Sequence, residues 1–210
     1  MSLHPISFGH AFRFAWATFR LRYGLFLVSL LTLFIAWVVL EIAVIAGQHL
    51  GLWWWIVAHL TFLFFFAGIE AGLLGIALAL CEDREPTYFD VFKHLANGPI
   101  FLTGQLVYLL IVAGGLLLLV IPGLYLGARY SFFGFGLLAR DASLTQSFRQ
   151  SAKLSAGRSG NLFGVLVFLS IINVLGAGLL GLGLLITVPL SVLTMAALYR
   201  QLSQSARART

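Results

Sequence analysis

Charge is scarce in this chain. Only 10% of its 210 residues are Asp, Glu, Lys or Arg, against about 25% in a soluble domain, and so few cannot cover a water-facing surface. Cysteine occurs once, as Cys81, which excludes an intramolecular disulfide and any Cys-rich metal centre. Catalytic signatures are missing too: there is no H-E-x-x-H, P-loop, G-x-S-x-G or C-x-x-C. His4, His10, His49, His59 and His94 are scattered without metal-ligand spacing. The sequence therefore assigns no catalytic residue, no metal and no cofactor. What is abundant is apolar: 60% of the residues, for a mean hydropathy of +1.00. Several runs reach the ~20 residues needed to cross a bilayer, which reads as an integral membrane protein. The first run begins near Gly24, is too long for a signal-peptide core and ends in no A-x-A-like site, so it is expected to remain in the mature chain.

Six spans are predicted, at about 24–47, 52–80, 100–121, 124–139, 161–176 and 182–203, making residues 1–210 a single all-α membrane domain. Trp53, Trp54 and Trp55 open the second span as an interfacial aromatic cluster. Pro122-Gly123 reads as the stop of the third, and Pro189 as a kink in the sixth. Of the 13 basic residues, all but Arg129 fall before span one, between spans two and three, between four and five, or at the end of six. The three other connections carry none. The positive-inside rule then places both termini in the cytoplasm, in a bacterial inner membrane. The net charge of +6 is explained by anionic lipid headgroups rather than by nucleic acid, because the basic residues flank apolar spans and form no run. Glu82-Asp83-Arg84-Glu85 reads as a solvated loop.

A repeat is visible in the cytoplasmic segments. Counting back from Gly24, Gly104 and Gly164, the sixteenth residue is Phe8, Tyr88 and Phe148, and the twelfth is Phe12, Phe92 and Ala152. Positions four apart share a helix face. The spacing predicts amphipathic interfacial helices at about 6–22, 87–97 and 143–156, each leading into a helical hairpin, in a pseudo-threefold arrangement. Thr87 with Asp90, and Ser143 with Gln146, have capping-box spacing. On this reading Phe8, Phe12, Tyr88, Phe92 and Phe148 enter the lipid interface while Arg13, Arg149 and Lys153 meet headgroups.

Polar groups inside the spans are the remaining candidates, since charge at membrane depth is costly and points to function. At a helical rise of ~1.5 Å per residue, Glu70 and Arg129 lie at matching depths, ~15 and ~16 Å from their cytoplasmic ends. An ion pair between them is expected, either as a clamp on helix register or as part of a polar path. Glu41 and His59 share a height near the outer surface. Gln105, Asn173 and Ser170 are candidates for interhelical hydrogen bonds, and Gly68–Gly72, Gly123–Gly127 and Gly160–Gly164 are spaced for close helix approach.

Four blocks carry a family resemblance: ISFGHAFRFAWATFRLRYGLFLVSLL, YFDVFKHL, IPGLYLGARYSFFGFGLLARDASLTQSFRQSAKLSAGR and PLSVLTMAALYRQL. Together they resemble the membrane domain of bacterial glycerophosphoryl diester phosphodiesterases and related six-span proteins. The most specific part is Pro122-Gly123, Arg129 and the stretch from Ser151 to Arg158. The resemblance implies fold and location. In phosphodiesterase-type members catalysis belongs to a separate soluble barrel, so activity does not carry over. The expected function is a non-enzymatic structural or accessory role, as a subunit of a larger membrane complex or a lipid-interacting scaffold. The rival is a small transporter or channel that uses Glu70 and Arg129; a membrane enzyme ranks third.

Overall fold

The computed structural model describes residues 7–140, 143–179 and 181–207, and no strand occurs among them. His4, Ile6 and Arg209, used in the sequence reading, lie outside the described residues. Five helical stretches are long and apolar enough to cross a membrane. They are α1 (Phe8–Ala46), α2 (Leu52–Cys81), the stretch Tyr88–Leu118, α7 (Ser159–Gly178) and α8 (Leu184–Arg207). The third consists of a 3₁₀ segment, Tyr88–Asn97, running into α3 (Gly98–Leu118). Where one span over 124–139 was expected, the chain forms two shorter helices, α4 (Val120–Tyr130) and α5 (Phe133–Arg140), followed by α6 (Leu144–Ser155).

Each boundary has a local cause. Helix α1 merges the first interfacial segment with the first span, and its backbone leaves helical geometry at Arg22 (φ −124°, ψ 24°), between the two. The Arg22 guanidinium reaches Glu85 at 2.7 Å, tying the kink to the loop after α2. The pair is solvent-exposed, so it contributes at most about 1 kcal/mol. At the far end of α1 the Ala43 carbonyl accepts both the Gly47 amide and the indole of Trp54, each at 3.0 Å, which pins α2 to the end of α1. Gly47 makes room for that ring: a Cβ there would stand 1.9 Å from the indole nitrogen.

The turn between α3 and α4 is shorter than Pro122-Gly123 suggested. One extended residue, Leu119 (φ −165°, ψ 151°), separates the helices, and Pro122 falls inside the first turn of α4. Proline is tolerated there because the first-turn amides have no intrahelical acceptor. Gly115 and Gly123 face each other across this turn, with a Cβ on Gly115 only 2.7 Å from the Gly123 Cα.

Helices α2 and α8 form the centre. In its most apolar window α2 is 61% buried and α8 50%, against 11% for α1. The buried part of α2 is confined to Ala67–Cys81, and that of α8 lies from Pro189 on. Both are the ends nearest the basic connections. The 3₁₀ segment packs on this part of α2. A Cβ on Gly72 would sit 2.0 Å from the Val91 carbonyl oxygen, and one on Gly68 3.0 Å from the Leu95 Cα. A capping box of Thr87 and Asp90 starts the segment. Lys93 at 2.6 Å, with help from the Thr87 amide, holds the Asp90 carboxyl below the usual carboxylate range.

The Gly68–Gly72 spacing thus serves close approach, to the 3₁₀ segment rather than to another span. Gly164 is different, since nothing lies within 4 Å of where its Cβ would be. We expect Gly72→Ala to destabilise the protein by about 1–3 kcal/mol, the usual range for overpacking a tight contact. Gly164→Ala should be neutral or gain from helix propensity, up to ~1 kcal/mol. Thermal unfolding of both variants in one mild detergent measures the contrast.

Candidate functional site

Glu70 and Arg129 each find a partner, but not in the pair expected from depth. Gln105 on α3 donates its side-chain amide to the Glu70 carboxylate on α2. Arg129 turns back along α4 and donates to the Tyr125 hydroxyl at 2.8 Å, its guanidinium 5.8 Å from that ring's centre. Glu70 and Arg129 form no salt bridge. Their levels do agree. The Tyr108 hydroxyl, one turn beyond Gln105, donates to the Gly127 carbonyl at 3.0 Å, which sets Arg129 near the height of Gln105. Rise per residue gives depth, while helix face decides who meets. Helix α4 packs on α3, α7 and α6, whereas Glu70 faces α3.

His59 likewise stays on its own helix, with Nδ1 2.9 Å from the Trp55 carbonyl and its ring stacked on that indole at 4.1 Å. Glu41 is partly exposed, and no hydrogen bond joins it to His59. Asn173 does bridge helices, donating to Ser191 on α8 at 3.0 Å. Ser170 is exposed and lines the apolar groove between α4 and α7.

The aromatic stripe of the interfacial segments faces the protein. Phe8 and Phe12 both pack edge-on against Phe168 of α7, at 5.3 and 5.6 Å. The Tyr88 hydroxyl lies 2.8 Å from that of Thr32 on α1, and Phe92 packs against the core. Phe148 is buried, its ring stacked parallel on Phe133 at 5.0 Å. The rings expected at the lipid interface thus make contacts within the protein: Phe148 is buried, while Phe8, Phe12, Tyr88 and Phe92 stay half-buried. The cations do stay outward. Arg149 and Lys153 are exposed, and Arg13 is exposed with its Nε donating to the Gly9 carbonyl at 3.3 Å.

One residue emerges that spacing did not single out for a role. Ser151 of α6 is buried, accepts from the Phe132 amide at 3.1 Å and donates to the Arg129 carbonyl at 3.0 Å. It thus links both ends of the break between α4 and α5, where helical hydrogen bonding lapses. Tyr130 and Phe133, on either side of the break, close on the Phe148 ring one turn before Ser151. Gln150 beside it donates to the Tyr199 hydroxyl at 2.9 Å, anchoring α6 to α8. The sequence carried a signal, a serine on the buried face of a capped amphipathic helix, but nothing named its backbone partners.

Among the described residues no group of three or more His, Cys, Asp or Glu side chains converges as a metal site. No protein-family model, curated protein sequence or solved structure matches the chain. We expect Ser151→Ala to cost about 1–3 kcal/mol, because it strands a buried amide and a buried carbonyl together. Ser147→Ala, which removes only a hydroxyl bonded within its own helix turn at 3.1 Å, should cost much less. Detergent melting curves of the two variants make the comparison.

Proposed function

We propose that this is a multi-pass protein of the bacterial cytoplasmic membrane with a structural or accessory role, serving as a subunit beside a larger membrane complex or as a lipid-interacting scaffold. The observation that carries the reading is the pairing of its intramembrane polar side chains with one another. Gln105 takes Glu70 and Ser191 takes Asn173, each bond fixing one helix against another, while Arg129 is held by Tyr125 within α4. Polar groups committed this way organise a bundle rather than present themselves to a passing solute. The likeness to the membrane domain of glycerophosphoryl diester phosphodiesterases enters as part of the same proposal, for fold and location only.

The topology that goes with it has six crossings in three helical hairpins, with α4 and α5 together making the fourth and both termini cytoplasmic. Contacts along α3 support the return crossing. Gly115 meets Gly123, Tyr108 meets Gly127, Gly104 meets Phe133, and Phe101 meets Gly134. The chain therefore runs antiparallel to α3 back to the level where α3 began. A threefold relation is supported by the inward-turned aromatics Phe8, Tyr88 and Phe148, although one of the three segments is 3₁₀ and the other two are α-helical.

Purification from native membranes in mild detergent, followed by native mass spectrometry, tests the role. A stoichiometric membrane-protein partner or a constant lipid complement is expected. A solitary chain that moves ions or solutes across liposomes would replace this reading with that of a small transporter. Topology needs its own probe, because Cys81 is buried and reacts poorly whichever way it faces. A membrane-impermeant maleimide should label Gln48→Cys in intact cells and Arg84→Cys only after permeabilisation. The reverse pattern would invert the orientation.

A further inference from the structure

Two neighbouring cavities open beside the start of α7 and share Arg158 and Leu202 in their walls. The smaller, about 420 Å³, lies at the α6–α7 corner against α8 and includes Lys153 and Arg158. The larger, about 680 Å³, continues along α7 past Gly160, Gly164 and Phe168, closed on one side by Phe8 of α1. Neither wall contains an Asp or Glu. Among the described residues Lys153 and Arg158 take part in no salt bridge, although three other pairs form. Gly160 and Gly164, one turn apart, have nothing within 4 Å of where their Cβ atoms would be. They pack against no helix and leave a trough along α7.

We propose that this cleft binds one anionic phospholipid, its phosphate between Lys153 and Arg158 and an acyl chain along the Gly160–Gly164–Phe168 trough. The argument is one of matched order. A cationic mouth without acidic neighbours opens where a membrane-spanning helix begins, and an apolar trough leads from it along that helix. A phospholipid has the same sequence of chemistry at the same spacing, whereas a soluble anion would use the mouth and leave the trough empty. The proposal rests on the reading of the chain as a lipid-interacting membrane protein and adds to it a single site with named contacts.

The test is native mass spectrometry of the full chain with phosphatidylglycerol or phosphatidylcholine titrated into detergent. One phosphatidylglycerol per chain should be retained at concentrations where phosphatidylcholine is not. Each removed cation should weaken retention about fivefold, so Lys153→Gln with Arg158→Gln should weaken it about 25-fold. Arg84→Gln, which removes an exposed cation on the loop after α2 that is paired with Glu82 and lies outside both cavities, should stay within about twofold of the parent. Gly164→Phe fills the trough and should weaken lipid retention while the melting midpoint is kept. Lys153→Arg with Arg158→Lys keeps both charges and should still bind, which guards against a folding artefact in the neutral pair.

Equal retention of phosphatidylcholine, an unchanged neutral double variant, or an equal loss in Arg84→Gln would overturn the site. So would glycerol 3-phosphate competing as well as the lipid, or a dimer that holds no lipid in the cleft. None of these outcomes touches the copurification result, so the site and the accessory role can fail separately.

Discussion

The contact on which the rest of the bundle turns is between two backbones. On its C-terminal half α2 presents Gly68 and Gly72, and the 3₁₀ segment lays the Val91 carbonyl and the Leu95 Cα directly onto them. Gly98 continues the contact against the Phe64 carbonyl. No side chain larger than hydrogen fits at these points, so the distance between segment and helix is set by backbone radii alone. That distance places the start of α3 at Gly98-Pro99. The position of α3 then aims Gln105 at Glu70 and brings Gly104 under the Phe133 ring. Displacing the 3₁₀ segment would move all of these together.

The break between α4 and α5 shows the same economy in polar form. A helix interrupted inside an apolar bundle exposes backbone donors and acceptors that lipid cannot satisfy. The hydroxyl of Ser151 offers one acceptor and one donor, and the break needs one of each at Phe132 and Arg129. Because α6 supplies that hydroxyl, α6 is tied to the bundle and its aromatic face is occupied by Tyr130 and Phe133. The surface of α6 turned away from the bundle is then its polar one, which is where Arg149 and Lys153 lie.

How much of this could be read in advance follows from what each signal measures. Apolar run length located α1, α2, α3, α7 and α8, since a bilayer imposes length directly. Over 124–139 it missed the break between α4 and α5, because hydropathy is blind to a two-residue turn whose hydrogen bonds come from another helix. The fourfold aromatic spacing of Phe8 with Phe12 and Tyr88 with Phe92 marked a face correctly. Spacing cannot say what that face touches, and here Phe168 and Thr32 supply part of its contacts. Depth placed Glu70 and Arg129 at one level, yet the azimuth that separates them depends on how α4 leans on α7, a tertiary fact. Gly160–Gly164 and Gly68–Gly72 are identical as motifs and opposite in use, one lining open space and the other a backbone contact.

The uneven burial of the bundle has a physical reason that joins these points. Apolar surface that faces lipid gains little by facing protein, so helices in a membrane are not driven together by hydrophobicity. The outer half of α1 and the first half of α2 accordingly leave Phe34, Ile35, Trp37, Ile42, Trp53 and Val57 exposed. Cohesion must come from contacts that lipid cannot imitate, which are close backbone approach and hydrogen bonds between helices. In this chain the Gly68–Gly72 face, the Glu70–Gln105 bond and the Ser151 staple all lie toward the basic side of the bundle, where the buried residues of α2 and α8 also collect. Arg129 stands at the edge of that region. A cation in GARYSFFGFG is tolerable because Arg129 is only half-buried and donates to the exposed Tyr125 hydroxyl on the same helix, while its own carbonyl is held by Ser151.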